Sequence, residues 1–367
     1  MNSKLKIITV VGARPQFIKA AAVSRAISSQ FSNQVEEKII HTGQHFDENM
    51  SQIFFDELDI PKPHYNLSVS GGSHGSMTGK MLEGIEEVLI KEKPDWLLIY
   101  GDTNSTLAGA LAASKLHIPI AHVEAGLRSF NMRMPEEINR IVSDRISTLL
   151  FCPTETAVQN LKLEGITQGV HNVGDVMYDV ALFYKEKASA QSNILERLKL
   201  EPKNFALATC HRAENTDDPS KLKEILAALA EISDECKVVL PLHPRTKKMI
   251  YSLGLGDYLH SLVVVDPLPF LDMVTLEQSA KVILTDSGGV QKEAFFYRVP
   301  CITMREETEW VETVVQGGNC LVGASQKKIL NAFESMVNSA SNDAQGHPYG
   351  YGDASSKLCQ LMNDYTN

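Results

Sequence analysis

Clusters of polar and titratable residues recur along this 367-residue chain at one kind of position, directly after a short apolar run. Gly12-Ala13-Arg14-Pro15 follows residues 7–11, Gly101-Asp102-Thr103-Asn104-Ser105 follows 96–100, and Glu124-Ala125-Gly126-Leu127-Arg128 follows 120–123. Farther on, His211-Arg212-Ala213-Glu214-Asn215 follows 205–209, His243-Pro244-Arg245 follows 238–242, Asp286-Ser287-Gly288-Gly289 follows 282–285, and Arg305-Glu306-Glu307-Thr308-Glu309 follows 301–304. Two chemistries suit these residues. Ser287-Gly288-Gly289 ahead of a helical stretch offers bare N–H groups and a helix N-terminus to an anion. Arg14 near a helix start, with Lys19 about one turn on, adds a fork and a point charge suited to a diphosphate. Asp102, Glu124, Glu136, Glu137 and His211 supply the positioned acids and bases that moving a proton from carbon requires.

No single residue decides this reading. An S-G-G can be a plain turn, Asp102 an N-cap, and His211 a satisfied structural histidine. The carboxylates after Pro135 would complement a helix dipole in any case. The set, most of it at the ends of apolar runs, is what points to a site. There is no G-x-G-x-x-G, so a dinucleotide is not expected, and no clustered metal ligands, so neither cofactor nor metal is expected.

Such clusters need elements to hold them. Strands are expected at 7–11, 96–100, 120–123, 149–152, 205–209, 238–242, 262–265, 282–285 and 301–304, several of them continuous apolar runs, the pattern of parallel strands buried on both faces. Helical stretches are expected at 16–30, 79–92, 106–115, 135–148, 219–232 and 290–297. This alternation predicts an α/β fold of two doubly wound, Rossmann-like domains. It pauses over the polar stretch 180–202, expected to be a surface helix or linker. Segment 338–352 reads as a loop and 354–365 as a last helix. Ligands bind at the carboxyl ends of strands in open α/β sheets, which places the expected site in a cleft between the two domains.

Bulk properties narrow the function. With 43% hydrophobic and 22% charged residues the composition is that of a globular protein, and the formal net charge of −10 argues against binding nucleic acid or an anionic membrane. The amino terminus lacks the apolar core of a signal peptide, and no apolar run is long enough to span a bilayer. The six cysteines are scattered, with no C-x-x-C pair. These features together suggest the reducing cytoplasm.

The segments V-G-A-R-P-Q-F-I-K, Y-G-D-T-N-S-T, H-V-E-A-G-L-R-S, M-P-E-E-I-N-R, C-H-R-A-E-N and T-D-S-G-G-V-Q-K-E-A, spread from Ile7 to about Val322 and in order, resemble the non-hydrolysing UDP-N-acetylglucosamine 2-epimerase family. The resemblance implies a glycosyltransferase-B fold, domains at 1–175 plus 353–367 and at 176–352, and commonly a homodimer. It implies epimerisation by loss of UDP with the proton on carbon 2, through a 2-acetamidoglucal, followed by re-addition. Asp102, Glu124 and Glu136 match the catalytic acidic residues. Arg14, Lys19, His211, Ser287, Gly288, Gly289 and Glu293 match UDP contacts, with Glu293 toward the ribose and His211 assisting at the diphosphate. Leu268 and Met273 stand where the family has a Gln and a Phe near the base. Thr308-Glu309-Trp310-Val311-Glu312 replaces T-E-R-P-E, removing an Arg contact. Gln44 and His243 fit the family's activator pattern, but residues 70–76 offer no Arg. The 41–50 and 308–312 segments look more like a branch acting on UDP-2,3-diacetamido-2,3-dideoxy-glucuronate for surface polysaccharide, whose sugar carboxylate Arg128, Arg133 or Arg140 would meet. A glycosyltransferase of the same fold and a hydrolysing 2-epimerase are the alternatives.

Overall fold

The computed structural model describes residues 4–43, 62–338 and 346–366. The chain packs as two compact units, Met1–Val180 with His347–Asn367, and Ala181–Gly346.

In the first unit the elements run β1 (Leu5–Val11), α1 (Arg14–Gln30), β2 (Val35–His41), β3 (Tyr65–Asn66), α2 (His74–Glu92), β4 (Trp96–Tyr100), α3 (Asn104–Lys115), β5 (Ile120–Val123), α4 (Pro135–Ile146), β6 (Leu149–Cys152), α5 (Glu155–Leu163) and β7 (Val170–Asn172). The strands form a parallel sheet in the order β3-β2-β1-β4-β5-β6-β7. β4, β5 and β6 are buried at every residue, because helices cover both faces.

Helix α6 (Val176–Gln191) carries the chain across the boundary and α7 (Ile194–Arg197) follows. The second unit continues with β8 (Phe205–Thr209), α8 (Ala213–Thr216), α9 (Pro219–Ile232), β9 (Lys237–Pro241), α10 (Pro244–Ser252), β10 (Val263–Val265), α11 (Phe270–Ser279), β11 (Val282–Thr285), α12 (Gly288–Phe296), β12 (Cys301–Thr303), α13 (Val311–Val315), β13 (Asn319–Leu321) and α14 (Gln326–Asn338). Its sheet is also parallel, in the order β10-β9-β8-β11-β12-β13. The core gathers Leu222, Ile225, Leu226 and Leu229 of α9 with alternate residues of β8, β9 and β11.

The last helix, α15 (Ala354–Thr366), packs on α1 of the first unit. Asp179 accepts from the backbone N–H of Ala354 (3.2 Å) and Ser355 (2.7 Å), capping that helix, and Trp96 Nε1 donates to Thr366 Oγ1 at 2.9 Å.

The stretch 180–202 departs from its expectation as a polar surface segment. Val180, Ala181, Tyr184, Ala188, Ile194 and Leu200 are buried, and Tyr184 stacks edge-on against Phe270 at 5.1 Å. Its apolar residues are too widely spaced among Lys and Glu to stand out. Strands β2, β3, β7 and β13 were not expected. β2 (V-E-E-K-I-I-H) carries charges at its start, one of which, Glu37, is half-buried and accepts from Thr9 and Ser24 hydroxyls, each at 2.5 Å.

Candidate active site

Both sheets reverse their strand order at one point, between β1 and β4 in the first and between β8 and β11 in the second. At such a point neighbouring connections leave on opposite sides and open a crevice at the strands' carboxyl ends. The expected polar clusters sit on these exits.

In the first unit, buried Gln16 ties two exits together. Its carbonyl accepts from Gly12 N (2.8 Å) and Ala13 N (3.1 Å), and its amide donates to the Tyr100 carbonyl (2.7 Å) and Thr106 Oγ1 (2.9 Å). A side chain at Gly12 would collide with Ser105 and Thr42, so the β1 exit needs glycine. Arg14 is exposed at the start of α1, and Lys19, one turn along, is buried and ion-paired with Glu124.

Glu124 leaves β5 in the left-handed conformation, φ 70°. A non-glycine residue there costs about 1–3 kcal/mol. The turn is held by Glu124 N and Ala125 N, which both donate to the Phe151 carbonyl at 3.0 and 3.1 Å. Gly101, φ 60°, clears room for the ion pair: a carbon added there would lie 3.3 Å from Glu124 Oε2 and 3.8 Å from Lys19 Nζ.

Asp102 does not cap α3; Thr103 does, accepting from Thr106 N at 3.3 Å. The Asp102 carboxylate instead pairs with Arg140. Burial pushes Asp102 above the usual carboxylate range, Glu124 adds to the rise, and Arg140 and Lys19 oppose it. Lys19, Asp102 and Glu124 thus converge: two carboxylates whose charges sense each other, with one ammonium at hand.

The two carboxylates that open α4 have different fates. Glu136 is exposed. Glu137 is buried and accepts from Ser129 N (2.9 Å), Ser129 Oγ (2.8 Å), Phe130 N (2.9 Å) and Arg140 Nη1 (2.8 Å). Burial would raise Glu137, but these bonds hold it below its ordinary value.

Of the three arginines expected near a sugar carboxylate, Arg128 is committed to the fold. Its side chain is 1% exposed and donates to Glu164 (2.6 and 2.8 Å), Asp144 (2.7 Å) and the Leu127 carbonyl (2.7 Å). That expectation is corrected: no face of its guanidinium is left for a ligand. Arg140 bridges Asp102 and Glu137, and Arg133 is exposed.

In the second unit, Asp286 is fully buried and organises the β8 exit. It accepts from His211 N (3.0 and 3.1 Å), Arg212 N (3.0 Å) and Asn215 Nδ2 (3.3 Å). The His211 side chain, 47% exposed, has Nδ1 3.4 Å from Asp286. Thr209 and Thr285 hydroxyls meet at 2.6 Å, and Ser287 N donates to Thr285 Oγ1 at 2.9 Å. Ser287 Oγ accepts from Val290 N at 3.5 Å, capping α12, whose first residues are Gly288 and Gly289. A carbon added at Gly289 would meet only Ser287 Oγ, at 3.8 Å, whereas Gly288 lies under the Glu309 carboxylate, held by Arg305 at 3.1 Å. Leu268, Met273 and Glu293 are half-buried, on the approach to α11, on α11 and on α12. Buried Glu277 on α11, which no motif marked, is held well above its ordinary value by burial and by the charge of Glu293.

A model of the family described as UDP-N-acetylglucosamine 2-epimerase matches residues 28–363. The chain belongs to that family. It is 55% identical over 98% of its length, and 99% of the relative's, to the UDP-2,3-diacetamido-2,3-dideoxy-D-glucuronate 2-epimerase of Pseudomonas aeruginosa. It matches the crystal structure of the Methanocaldococcus jannaschii UDP-GlcNAc 2-epimerase in complex with UDP-GlcNAc and UDP at TM-score 0.85 and 43% identity, covering 98% of this chain and 100% of that one. The Neisseria meningitidis UDP-GlcNAc 2-epimerase bound to UDP-GlcNAc matches at TM-score 0.85 and 30% identity, covering 99% and 100%. The two α/β domains are of the glycosyltransferase-B type. Gln44 and residues 45–47 lie outside the described residues, and His243 caps α10, accepting from Arg245 N at 3.3 Å. Among the described residues, no group of three His, Cys, Asp or Glu is placed to hold a metal, and no helix is long and apolar enough to cross a membrane.

Proposed function

We propose that this chain is a non-hydrolysing UDP-sugar 2-epimerase whose preferred substrate is UDP-2,3-diacetamido-2,3-dideoxy-glucuronate. The observation that carries the reaction class is the convergence of Lys19 of α1 with Asp102 and Glu124 at the exits of β4 and β5, in a chain of this family. The proton on a carbon bearing an acetamido group is a weak acid. Its removal needs a base of raised affinity for protons and a leaving group that takes the developing charge away. Asp102, lifted by burial, has that affinity, and Glu124 and Glu136 supply carboxylates for delivery of a proton to the opposite face. UDP departs as the carbon 2 proton leaves, a 2-acetamidoglucal stays bound, and UDP returns with a proton on the other side of carbon 2.

Arg14 and Lys19 take the diphosphate, with His211, Ser287 and the N–H groups of Gly288 and Gly289. Glu293 takes the ribose hydroxyls, and Leu268 and Met273 flank the base. The substrate assignment is supported by the 55% identity to the Pseudomonas enzyme. Arg133, with Arg140, is the donor proposed for the sugar carboxylate. Action as a homodimer in the cytoplasm, in the making of surface polysaccharide, completes the reading. Comparing kcat/KM for the diacetamido glucuronate and for UDP-N-acetylglucosamine tests the substrate: a higher value for the former is expected, and a preference for the latter overturns it.

A further inference from the structure

Helix α4 presents Glu136, Arg140 and Asp144 four residues apart, one stripe on one face. Glu136 stands exposed at its start and Arg140 holds Asp102. Asp144, 1% exposed, reaches the turns behind the site. Its Oδ1 accepts from His122 Nδ1 at 2.8 Å, and its Oδ2 accepts from Gly126 N at 3.1 Å and Arg128 Nη1 at 2.7 Å. The other nitrogen of His122, Nε2, donates to the Gly101 carbonyl at 2.7 Å. Gly101 N in turn donates to the Val123 carbonyl at 3.0 Å.

Gly101 directly precedes Asp102, and Gly126 lies two residues after Glu124. Both glycines are left-handed, φ 60° and 80°, and a side chain at Gly126 would strike the Ala157 carbonyl. Such turns have no regular ladder to hold them, so their geometry depends on whatever their backbone groups bond to. From this geometry we infer that Asp144 is a positioning residue for the epimerisation. Through one carboxylate it fixes both strand exits, and with them the separation of Asp102 and Glu124 across the sugar ring, and it locks to them the helix that carries Glu136. His122 is its relay to the Asp102 turn. Glu164, which grips only the far side of Arg128, stabilises the same network without touching either turn.

The inference rests on the epimerase reading of the site, and the experiment separates the two. Full-length wild-type protein, Asp144→Asn and Glu164→Gln are compared for kcat, KM and the pH profile of kcat, at a temperature where all three are folded. A misplacement of reacting groups on the ångström scale costs about 100-fold in rate, so Asp144→Asn is expected to lose about that much kcat with little change in KM. Its acidic limb is expected to move to lower pH. Asp102, facing Arg140, Lys19 and Glu124, is raised chiefly by burial, and a loosened turn admits water. Glu164→Gln is expected to lower the Tm while leaving kcat and the limb unchanged. If Asp144→Asn does not fold, His122→Asn carries the test. It keeps the Asp144 bond but cannot reach Gly101, and is expected to lower kcat and shift the limb. Wild-type kcat and limb in a folded Asp144→Asn or His122→Asn, or losses of kcat that only follow Tm in both Asp144→Asn and Glu164→Gln, overturn the inference. A wild-type protein that leaves carbon 2 untouched overturns the reading beneath it, and the inference with it.

Discussion

The two units place their polar clusters at the same point of the same strand order and use them differently. At the exits of β4 and β5 the ionisable side chains face one another: Lys19 on Glu124, Arg140 on Asp102, with Asp102 raised by burial. At the exits of β8 and β11 the charge turns inward. Asp286 is fully buried on backbone N–H groups and Asn215, and what lies open beside it is partly buried Ser287, exposed Gly289 and the half-exposed His211. On the proposed reading, the first arrangement moves protons and the second holds an anion. One topology serves both because the sheet fixes only where the exits are; the few residues after each strand decide what chemistry stands there.

The largest effects should separate the two halves. Asp102→Asn or Glu124→Gln is expected to reduce kcat by about 100-fold or more, the scale of lost acid–base catalysis, with KM little changed. Steady-state kinetics on folded protein checks it, and near-normal kcat in both variants would remove the acid–base role from this unit. Asp286→Asn is expected to act the other way. Losing a charged acceptor that serves several buried donors destabilises by about 1–3 kcal/mol, and the distorted cradle should raise KM more than it lowers kcat. Isothermal titration of the variant with UDP checks this, and unchanged UDP affinity would break the comparison.

A smaller effect sharpens the first half. Because Asp102 must be ionised to accept a proton and burial lifts it above its ordinary value, kcat should fall with decreasing pH at a pH above about 3.9, the value of an unperturbed Asp. Arg140 opposes that lift, so Arg140→Gln is expected to move the acidic limb further up. A limb that moves down in this variant would show that another group governs it.

Much of this division was legible in the sequence, and the misses have physical reasons. Continuous apolar runs gave away β4, β5, β8 and β11, since strands buried on both faces admit few polar residues. β2 escaped because Glu36, Glu37 and Lys38 interrupt its apolar residues, and α6 because its core contacts fall among Lys and Glu. Asp102 and Glu124 stood out as polar residues at strand ends, and Lys19 as a cation about one helical turn past Arg14. What holds them did not: Gln16, His122 and Asp144 act through backbone groups distant in sequence, and only the folded turns bring them into range. Arg128 illustrates the converse, a cation beside the right motif whose every bond serves the fold.

Chelator should produce the smallest effect. The proposed chemistry runs on side chains alone, so kcat is expected to be unchanged in EDTA, and a loss restored by a divalent cation would require a metal in one of the halves.

The most direct test of the central claim is proton NMR of UDP-2,3-diacetamido-2,3-dideoxy-glucuronate turned over by the protein in deuterium oxide. Elimination and re-addition through Asp102, Glu124 and Glu136 predicts the manno epimer with UDP still attached and deuterium at carbon 2. Retention of the original proton through epimerisation, or release of UDP with a free sugar, would contradict it.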